Sequence, residues 1–260
     1  MATFWEFVSE QRRDLPILAT TENCGGGTFI VTGANVGLGF ETAKHLVCLK
    51  AGKVILACRN AQAGEKAKSE IEAATNCPGI AEVWQLDLAS YDSVKSFANR
   101  AIKDLGRIDG LIENAGIALD TWSLAEGHET SVTVNIISTF LLAVLLHPKM
   151  TTSARQLNIL PHIVIVTSGA AFMMNDSELE KVQDDPFVKM DDQKASDMTK
   201  RYSSRENARW PIRHKLILTF LLLQISAQQA RANLCGDLFC DLSPNISNRR
   251  CCQSSHPWSL

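Results

Sequence analysis

The chain has 260 residues, of which 45% are apolar and 21% charged, and its formal net charge is −2. This length is typical of one α/β domain or two small ones, and the composition is that of an ordinary globular protein. The near-neutral charge without a Lys/Arg block argues against a nucleic-acid partner and against binding to an anionic membrane surface.

The N-terminal sequence predicts no secretory signal, because acidic residues and a pair of arginines come before any apolar run. The longest apolar stretches, "FLLAVLL" and "LILTFLLLQISA", are too short to span a bilayer. The eight cysteines show neither a CxxC pair nor a Cys/His metal-site spacing, which favours reduced thiols. We therefore expect a cytoplasmic protein without a membrane span or a metal site.

Short apolar strands alternate with helices along the first part of the chain. The predicted strands are "GTFIVTGA", "KVILAC", "AEVWQLDL", "IDGLIENAG" and "HIVIVTSGAA". The helices between them are "FETAKHLVCLKAG", "NAQAGEKAKSEIEAA", "SYDSVKSFANRAIKDLG" and "SVTVNIISTFLLAVLLH", the last ending at Pro148. Strands that are apolar on both faces are typical of a parallel sheet covered by helices. The alternation predicts an α/β fold with a single doubly wound, Rossmann-like parallel sheet.

The pattern changes after the fifth strand. Residues 173–200 are polar and acidic, and they predict a loop with one short helix beside the site. "KLILTFLLLQISAQQARAN" returns to helical spacing, and the sequence after residue 233 has no regular pattern. We expect an N-terminal extension at 1–25, a dinucleotide-binding domain at 26–233 and an irregular tail at 234–260.

A glycine-rich turn lies between the first strand and the first helix. "TGANVGLG" spans Thr32 to Gly39. Glycine allows a tight turn and lets backbone N–H groups approach a pyrophosphate, and the helix N-terminus adds favourable dipole charge. The spacing differs from G-x-G-x-x-G, but a position between strand and helix is that of a dinucleotide-binding loop.

The spacing Thr-Gly-x-x-x-Gly-x-Gly resembles that of the short-chain dehydrogenase/reductase family. Further features of the family follow in order: Asp87 after the third strand, "ENAG" after the fourth, Asn135 in the next helix and Ser168 after the fifth. The family has Asn-Asn-Ala-Gly where this chain has "ENAG", with Glu113 in the first place. "TGANVGLGFETAKHL" and "LACRN" are similar to the retinol-dehydrogenase-like and fungal biosynthetic branch.

The resemblance implies hydride transfer between a nicotinamide dinucleotide and a small carbonyl or alcohol substrate, in secondary metabolism by analogy with that branch. It also implies a homo-oligomer. In the family a Ser holds the substrate oxygen, a Tyr passes the proton, a Lys lowers the pKa of that Tyr, and an Asn supports a proton-relay water. The implied catalytic residues are Ser168, Tyr202, Lys215 and Asn135. The implied cofactor-binding residues are Gly33, Asn35, Gly37, Leu38, Gly39, Arg59, Asp87, Asn114, Tyr202 and Lys215.

Some of these residues have a second interpretation. Asp87 could be a turn or helix-cap acid, and Asn135 could face water. Arg59 could be a solvated surface residue, and Thr167 is close to Ser168 in spacing. The sequence leaves these alternatives open.

The end of the second strand predicts NADP rather than NAD. Proteins that bind NAD place an acid there to bind the ribose 2′-hydroxyl. "VILACRNAQ" contains no acid and offers Arg59 instead. A guanidinium can bind a 2′-phosphate through two hydrogen bonds, whereas a carboxylate would repel it.

The spacing of Tyr202 and Lys215 departs from the family. The family has Tyr-x-x-x-Lys on one helix, where positions i and i+4 share a face. Here Glu206 stands at i+4, and thirteen helical steps would separate Tyr202 from Lys215 by about 20 Å. Pro211 opposes a continuous helix and allows the intervening residues to loop out. Two hypotheses stay open: an assembled Tyr–Lys pair, or a catalytically impaired or truncated dinucleotide-binding protein.

The C-terminal sequence also departs from the family. It contains no Pro-Gly turn, which family members place beside the nicotinamide after a sixth strand. We therefore expect the last strands and the substrate-covering helices of the family to be missing or replaced.

Overall fold

The computed structural model describes residues 18–166 together with Asp191 and Gln193. The described residues form a parallel sheet of five strands in the order β3-β2-β1-β4-β7, and a separate two-stranded hairpin. The predicted doubly wound parallel sheet is thereby confirmed. The strands are β1 Thr28–Thr32, β2 Lys53–Cys58, β3 Ala81–Gln85, β4 Gly110–Glu113, β5 Leu124–Ala125, β6 His128–Glu129 and β7 His162–Ile165.

Helices precede and connect these strands, and local sequence signals set their ends. The Asn60 side chain accepts a hydrogen bond from the Ala63 N–H, and the Ser90 side chain accepts one from the Ser93 N–H, so each caps a helix N-terminus. Asn76, with φ of 53°, ends the first of these two helices in the left-handed conformation. The helices are α1 Thr21–Cys24, α2 Gly37–Cys48, α3 Ala61–Thr75, α4 Tyr91–Asp104 and α5 Thr130–Leu157.

Apolar side chains pack on both faces of the sheet. Burying a large aliphatic side chain contributes about 1.5–3 kcal/mol, so two packed faces account for most of the driving force for this fold. One face is covered by α4 and α5, and the other by α2 and α3. The first cluster includes Ile30, Leu111, Val94, Phe97, Leu142 and Leu146, and the second includes Val31, Leu56, Ala43, Val47 and Ile71.

The antiparallel pair β5–β6 is a hairpin that the sequence analysis did not predict. Glu126 and Gly127 both have positive φ, 55° and 86°, at the two turn positions between the strands. A two-residue turn of this kind matches the twist of antiparallel strands. The hairpin leads directly into α5.

Helix α5 does not end at Pro148, so the predicted end of this helix is wrong. The helix continues to Leu157 with the proline inside it. Leu146 and Met150 are both buried on either side of Pro148, so packing against the core continues past the proline. Proline has no N–H, so Pro148 cannot donate a hydrogen bond to the Val144 carbonyl. Both residues are exposed, so water can reach this carbonyl.

The apolar run "FLLAVLL" lies within this helix, which is longer than the sequence predicted. By length and composition alone, the 28 residues of α5 could cross a membrane. However, 67% of its most apolar 18-residue window is buried inside the fold. Such burial is what a core helix shows, and it agrees with the packing of α5 against the sheet.

Packing at the N-terminal side begins before residue 26. Cys24 of α1 is buried in the second cluster, and the Gly26 N–H donates to the Lys50 carbonyl at 2.9 Å. Cys24, Cys48, Cys58 and Cys77 carry free thiols. The rest of the predicted 173–200 loop and the 234–260 tail lie outside the described residues. So does the region in which the family's last strands are expected to be missing or replaced, and that expectation stays a prediction.

Candidate functional site

A cleft of about 270 Å³ opens at the carboxyl ends of the parallel strands. It lies where the strand order reverses, between β1 and β4, which is where open α/β sheets bind ligands. Its walls are the segments that follow β1, β2, β3 and β4. Of the predicted cofactor-binding residues, the cleft lining includes Gly33, Asn35, Arg59, Asp87 and Asn114.

Two glycines of the loop after β1 are required by the surrounding backbone. Gly33 has φ of +65°, and a Cβ on it would lie 3.0 Å from Ala115 Cα. A Cβ on Gly39 would lie 2.5 Å from the Gly33 carbonyl oxygen and 2.5 Å from Asn114 Nδ2. The loop is therefore held closely between the start of α2 and the end of β4, and only glycine fits at these two positions.

The N-terminus of α2 points backbone donors out of the loop. Its N-cap is Val36, which makes no side-chain cap hydrogen bond. The first N–H groups of a helix need partners from outside the helix, and together with the dipole they favour an anion. Gly37 has open space around the position of a Cβ, and Leu38 is 73% exposed. Gly37 and Leu38 are thus exposed beside the cleft, whereas Gly39 is buried against the loop, and none of the three belongs to the cleft lining.

Thr32 and Asn114 connect the loop after β1 to the segment after β4. The buried Thr32 hydroxyl accepts hydrogen bonds from the N–H groups of Asn114 and Ala115 at 3.0 and 2.9 Å. Asn114 Nδ2 donates to the Thr32 carbonyl at 3.0 Å. These bonds fix the relative position of two cleft walls.

Cys58 lies beneath the same loop, at the end of β2. Burial raises the pKa of the Cys58 thiol to about 11, and hydrogen bonds from the backbone of Ala34 and Asn35 offset part of that rise. The thiol is therefore neutral near neutral pH. Its sulfur supports the backbone of the glycine-rich loop from below.

Glu113 replaces the first Asn of the family pattern at the end of β4. Its side chain is fully buried, and Oε2 lies 3.5 Å from the Thr32 hydroxyl oxygen. The replacement thus places a carboxyl group next to the hydroxyl that fixes the two walls. It does not disturb the hydrogen bonds of Asn114.

Arg59 and Asp87 line the cleft at the ends of β2 and β3. Arg59 is exposed and directly precedes Asn60, the N-cap of α3, whose helix N-terminus adds partial positive charge. Asp87 Oδ1 accepts a hydrogen bond from the Ala89 N–H at 2.9 Å, which is the turn contact that the sequence left open. Asp87 both makes this turn and faces the cleft.

Asn135 does not face water. It is buried in α5, where Thr133–Ser138 form a π-helical segment. Its side chain accepts a hydrogen bond from the Ile117 N–H and donates one to the Ile117 carbonyl, both at 2.8 Å. A π-helical turn is rare and is frequently found at functional sites. Here it coincides with the amide that holds the Ile117 segment, part of the cleft lining.

A sequence model of short chain dehydrogenases matches residues 27–178. The chain belongs to the short-chain dehydrogenase family. The match covers the described sheet from the residue before β1 to β7 and includes every wall of the cleft. The family membership that the glycine pattern predicted is therefore confirmed.

Fungal relatives agree with the predicted branch. The short chain dehydrogenase/reductase dmxR8 of Cryptosporiopsis sp. (strain 8999) is 49% identical over 149 residues, 57% of this chain and 46% of the relative. The short chain dehydrogenase atnD of Emericella nidulans is 35% identical over 229 residues, 87% of this chain and 68% of the relative. The matched region thus spans between about half and two thirds of these curated relatives.

A solved structure shows the same fold. The oxidoreductase yciK from E. coli superposes with a TM-score of 0.52 at 24% identity, over 62% of this chain and 65% of its own. This similarity concerns the fold alone. It agrees with the five-stranded sheet described above.

The nicotinamide dinucleotide used by short-chain dehydrogenases fits the residues present in the cleft. Because Gly39 has no side chain, the loop backbone packs closely against Gly33 and Asn114. The uncapped start of α2 offers backbone N–H groups to a pyrophosphate. Arg59 and Asp87 line the same cleft at the ends of the neighbouring strands. The donor set is therefore that of a dinucleotide site.

Three of the predicted catalytic residues of this short-chain dehydrogenase, Ser168, Tyr202 and Lys215, lie outside the described residues. So does Thr167, the alternative to Ser168. Asn135 is the one predicted catalytic residue that the structure describes. Its amide is engaged with Ile117, so its role within the described part is to position a cleft wall.

Sequence reasoning missed two residues that organise the site of this short-chain dehydrogenase. Thr32 begins the glycine motif, but its hydroxyl contacts come from residues 82 and 83 positions away. Glu129 caps the start of α5, since Oε1 accepts from the Ser131 N–H and Oε2 from the Val132 N–H. An acid directly before an apolar helix was a signal for this contact, because a negative charge is favourable at a helix N-terminus.

We expect Asn135→Ala to lower the free energy of unfolding by about 1–3 kcal/mol. Two hydrogen bonds to the half-buried backbone of Ile117 are lost, and each contributes about 0.5–1.5 kcal/mol. Urea unfolding followed by circular dichroism measures the change. Asn99→Ala, at an exposed position of α4, is the matched control and should stay within about 0.5 kcal/mol of the wild type. Equal stabilities of the two variants would contradict the role of the Asn135 amide.

Proposed function

We propose that this short-chain dehydrogenase uses NADP(H) to transfer a hydride between nicotinamide and the carbonyl or alcohol carbon of a small molecule, in secondary metabolism. One observation carries the proposal. The cleft lies where the strand order reverses. It is bordered by the glycine-lined loop, by the uncapped N-terminus of α2 and by Arg59. The fungal relatives support the short-chain dehydrogenase class, and the setting in secondary metabolism follows from the analogy with the fungal branch.

The described residues account for cofactor binding in this proposal. The N–H groups at Gly37, Leu38 and Gly39 would bind the pyrophosphate. Arg59 would bind the 2′-phosphate, and no acid between residues 54 and 62 would repel it. Asp87 and Asn114 would border the adenine and the adjoining ribose.

The chemical step needs a proton at the substrate oxygen. The bound nicotinamide supplies or accepts the hydride. Ser168 would hold the substrate oxygen by a hydrogen bond, and the Tyr202 phenol would donate its proton to that oxygen or take one from it. An ordinary phenol has a pKa near 10, so a nearby ammonium such as that of Lys215 is needed to bring it toward neutral pH. Asn135 would keep the neighbouring wall in place.

A second candidate is a dinucleotide-binding protein without turnover. The thirteen-position spacing of Tyr202 and Lys215, with Glu206 at i+4, favours it. Such a protein would retain the cleft and lose the acid–base pair.

Two measurements on the purified full chain separate these candidates. Quenching or enhancement of NADPH fluorescence gives the dissociation constant for the cofactor, and the loss of NADPH absorbance with a panel of ketones gives turnover. Binding with turnover of any ketone supports the oxidoreductase. Binding without turnover of the whole panel, or of alcohols with NADP in the reverse direction, favours the second candidate. No affinity for NADPH or NADH contradicts both.

We expect Arg59→Gln to weaken NADPH binding by about 10- to 100-fold, because a hydrogen-bonded charge pair contributes about 1.5–3 kcal/mol. NADH has no 2′-phosphate, so its dissociation constant should change by less than about threefold. Fluorescence titration with each nucleotide checks the difference. Lys103→Gln, which removes the same charge from an exposed position of α4, should change neither constant. An equal loss for NADPH and NADH in Arg59→Gln would exclude a 2′-phosphate role.

A further inference from the structure

The cleft wall after β3, which carries Asp87, is attached to the first turn of α4. The Asp87 N–H donates to the Ser93 hydroxyl at 2.9 Å, and the Ser90 N–H donates to the Asp87 carbonyl at 3.3 Å. Asp87 Oδ1 accepts a hydrogen bond from the Ala89 N–H at 2.9 Å. Because Asp87 lines the cleft, the position of the N-terminus of α4 sets the position of this wall.

The N-terminus of α4 is in turn held by the β5–β6 hairpin. The N–H of Tyr91, the first residue of α4, donates to Glu126 Oε1 at 2.8 Å. The N–H groups in the first turn of a helix have no partner within the helix, and the helix dipole favours a negative charge beside them. The Glu126 carboxylate thus supplies both an acceptor and a charge to a helix that begins 35 positions before it in the chain.

The backbone of Glu126 shows that the hairpin turn alone does not account for this residue. Glu126 and Gly127 occupy the two turn positions, and Glu126 has φ of 55°. Two-residue turns with positive φ at both positions favour Asn-Gly, because the left-handed conformation is unfavourable for most other residues. Asn would therefore suit the turn better, but its side chain is one methylene shorter. The contact with α4 accounts for the glutamate.

The hairpin is also attached to the start of α5. The Thr133 hydroxyl donates to the Ala125 carbonyl of β5 at 2.7 Å, and Glu129 of β6 caps the helix. A few residues later in α5, the Asn135 amide makes its two hydrogen bonds with the backbone of Ile117, which lines the cleft. The hairpin therefore connects the wall after β3, through α4, with the wall after β4, through α5.

Strand β6 makes a further contact that keeps the hairpin in place. His128 Nδ1 lies 2.6 Å from Asp191 Oδ2, and the Glu129 N–H donates to Asp191 Oδ1 at 2.8 Å. Both strands of the hairpin thus have hydrogen-bond partners outside it, so Glu126 projects from a fixed support.

We propose that Glu126 is a positioning residue of the dinucleotide cleft, which fixes the wall that carries Asp87 relative to the wall that carries Ile117. Glu126 is not part of the cleft lining and acts through the Tyr91 N–H. The inference rests on the proposed function, in which Asp87 borders the adenine and the adjoining ribose. NADPH and NADH share this part, so Glu126 serves both nucleotides alike.

The expected effect of Glu126→Asn separates this role from a role in the turn. Asn suits the turn, so the hairpin should be retained while the contact with Tyr91 is lost. We expect the dissociation constants of NADPH and NADH to rise by the same factor, about three- to tenfold, because water competes for an exposed contact and limits its effect. Glu126→Gln keeps an acceptor oxygen at the same reach and should leave both constants within about twofold. Fluorescence titration of the full chain measures them.

The contact itself has a readout that needs neither nucleotide nor activity. In the wild type the Tyr91 amide hydrogen is bonded to Glu126, so its exchange with solvent is slow relative to an unbonded amide. We expect Glu126→Asn to speed that exchange about tenfold, and Glu126→Gln to speed it less. Hydrogen exchange with fragment mass analysis or NMR measures the rates.

Glu72→Asn is the matched control. Glu72 Oε1 accepts a hydrogen bond from the Gly79 N–H at 2.9 Å, so the variant shortens a carboxylate that makes the same kind of contact. Gly79 precedes β3, at the opposite end of the strand from the cleft. Glu72→Asn should leave both dissociation constants and the Tyr91 exchange rate within about twofold of the wild type.

Unchanged Tyr91 exchange in Glu126→Asn would overturn the contact, whatever the affinities. Faster exchange with unchanged dissociation constants would overturn the positioning role. An equal loss of affinity in Glu126→Gln and Glu126→Asn would overturn the hydrogen bond as the means of positioning. A wild type that binds neither nucleotide would overturn the proposed function and this role with it, while the exchange of Tyr91 would still report the contact.

Discussion

We expect Gly39→Ala to weaken NADPH binding by about 10- to 100-fold. The new Cβ would lie 2.5 Å from the Gly33 carbonyl oxygen and 2.5 Å from Asn114 Nδ2, so the loop must move away from α2. Overpacking of this kind costs about 1–3 kcal/mol. The movement displaces the backbone N–H groups that would bind the pyrophosphate, and fluorescence titration with NADPH measures the loss.

The control for this variant is Gly106→Ala. Gly106 is exposed and has no atom within 4 Å of the position of a Cβ. Its substitution should leave the dissociation constant within about twofold of the wild type. Circular dichroism of both variants shows whether the fold is retained. Wild-type affinity in a folded Gly39→Ala protein would show that the loop does not hold the dinucleotide.

The second large effect concerns Tyr202→Phe. We expect turnover of the ketone substrate to fall by about 10²- to 10⁴-fold, the usual contribution of a positioned proton donor. The substitution removes one hydroxyl and keeps the ring, so NADPH binding should change by less than about threefold. Initial rates of NADPH consumption, with the cofactor titrated separately, measure both quantities.

The chain offers an unusually clean control, because it contains only two tyrosines, Tyr91 and Tyr202. Burial raises the pKa of the Tyr91 phenol, and the nearby charges of Glu126 and Asp191 raise it further. A raised pKa is the opposite of what proton transfer near neutral pH requires. Tyr91→Phe should therefore keep turnover within about threefold of the wild type.

The two tyrosine variants together test whether Tyr202 is the proton donor of the enzyme. Loss of turnover in Tyr202→Phe alone supports the proton-donor role. If neither variant changes turnover, the reaction does not use Tyr202. If Tyr202 and Lys215 are assembled as a pair, Lys215→Met should shift the pH dependence of turnover to higher pH. The Tyr202 phenol then loses the cation that lowers its pKa.

The elements that the sequence predicted correctly depend on local signals. Ser90 begins the segment that predicts α4, and its side chain caps the helix by accepting from the Ser93 N–H. The strands around Ile30 and Leu56 are apolar on both faces, so the parallel sheet followed from their composition alone. The glycine loop could be predicted because the φ of +65° at Gly33 is a backbone conformation that favours glycine, whereas the contacts of Gly39 with Asn114 could not be read from the sequence.

The features that could not be predicted depend on contacts between distant residues. The π-helical segment of α5 holds Asn135 against Ile117, 18 positions away. Helix α5 passes through Pro148 because the core continues on both sides of it, which outweighs an intrinsic cost of about 3 kcal/mol. The contact of His128 with Asp191 joins residues 63 positions apart, and neither residue lies in a recognisable motif.

The central place of β1 in the sheet has a consequence for the order of folding. β1 pairs with β2, which follows it closely in the chain, and on its other side with β4, which is much more distant in sequence. Beside β4, the Thr28 N–H donates a hydrogen bond to the Asp109 carboxylate, 81 positions away. Closing so long a loop is entropically expensive and slow. Because the two walls of the cleft stand on either side of this junction, a nucleotide can recognise only chains that have completed it. Nucleotide added during refolding should therefore leave the rates of the early steps unchanged. It should stabilise only those chains in which β1 has already paired with β4.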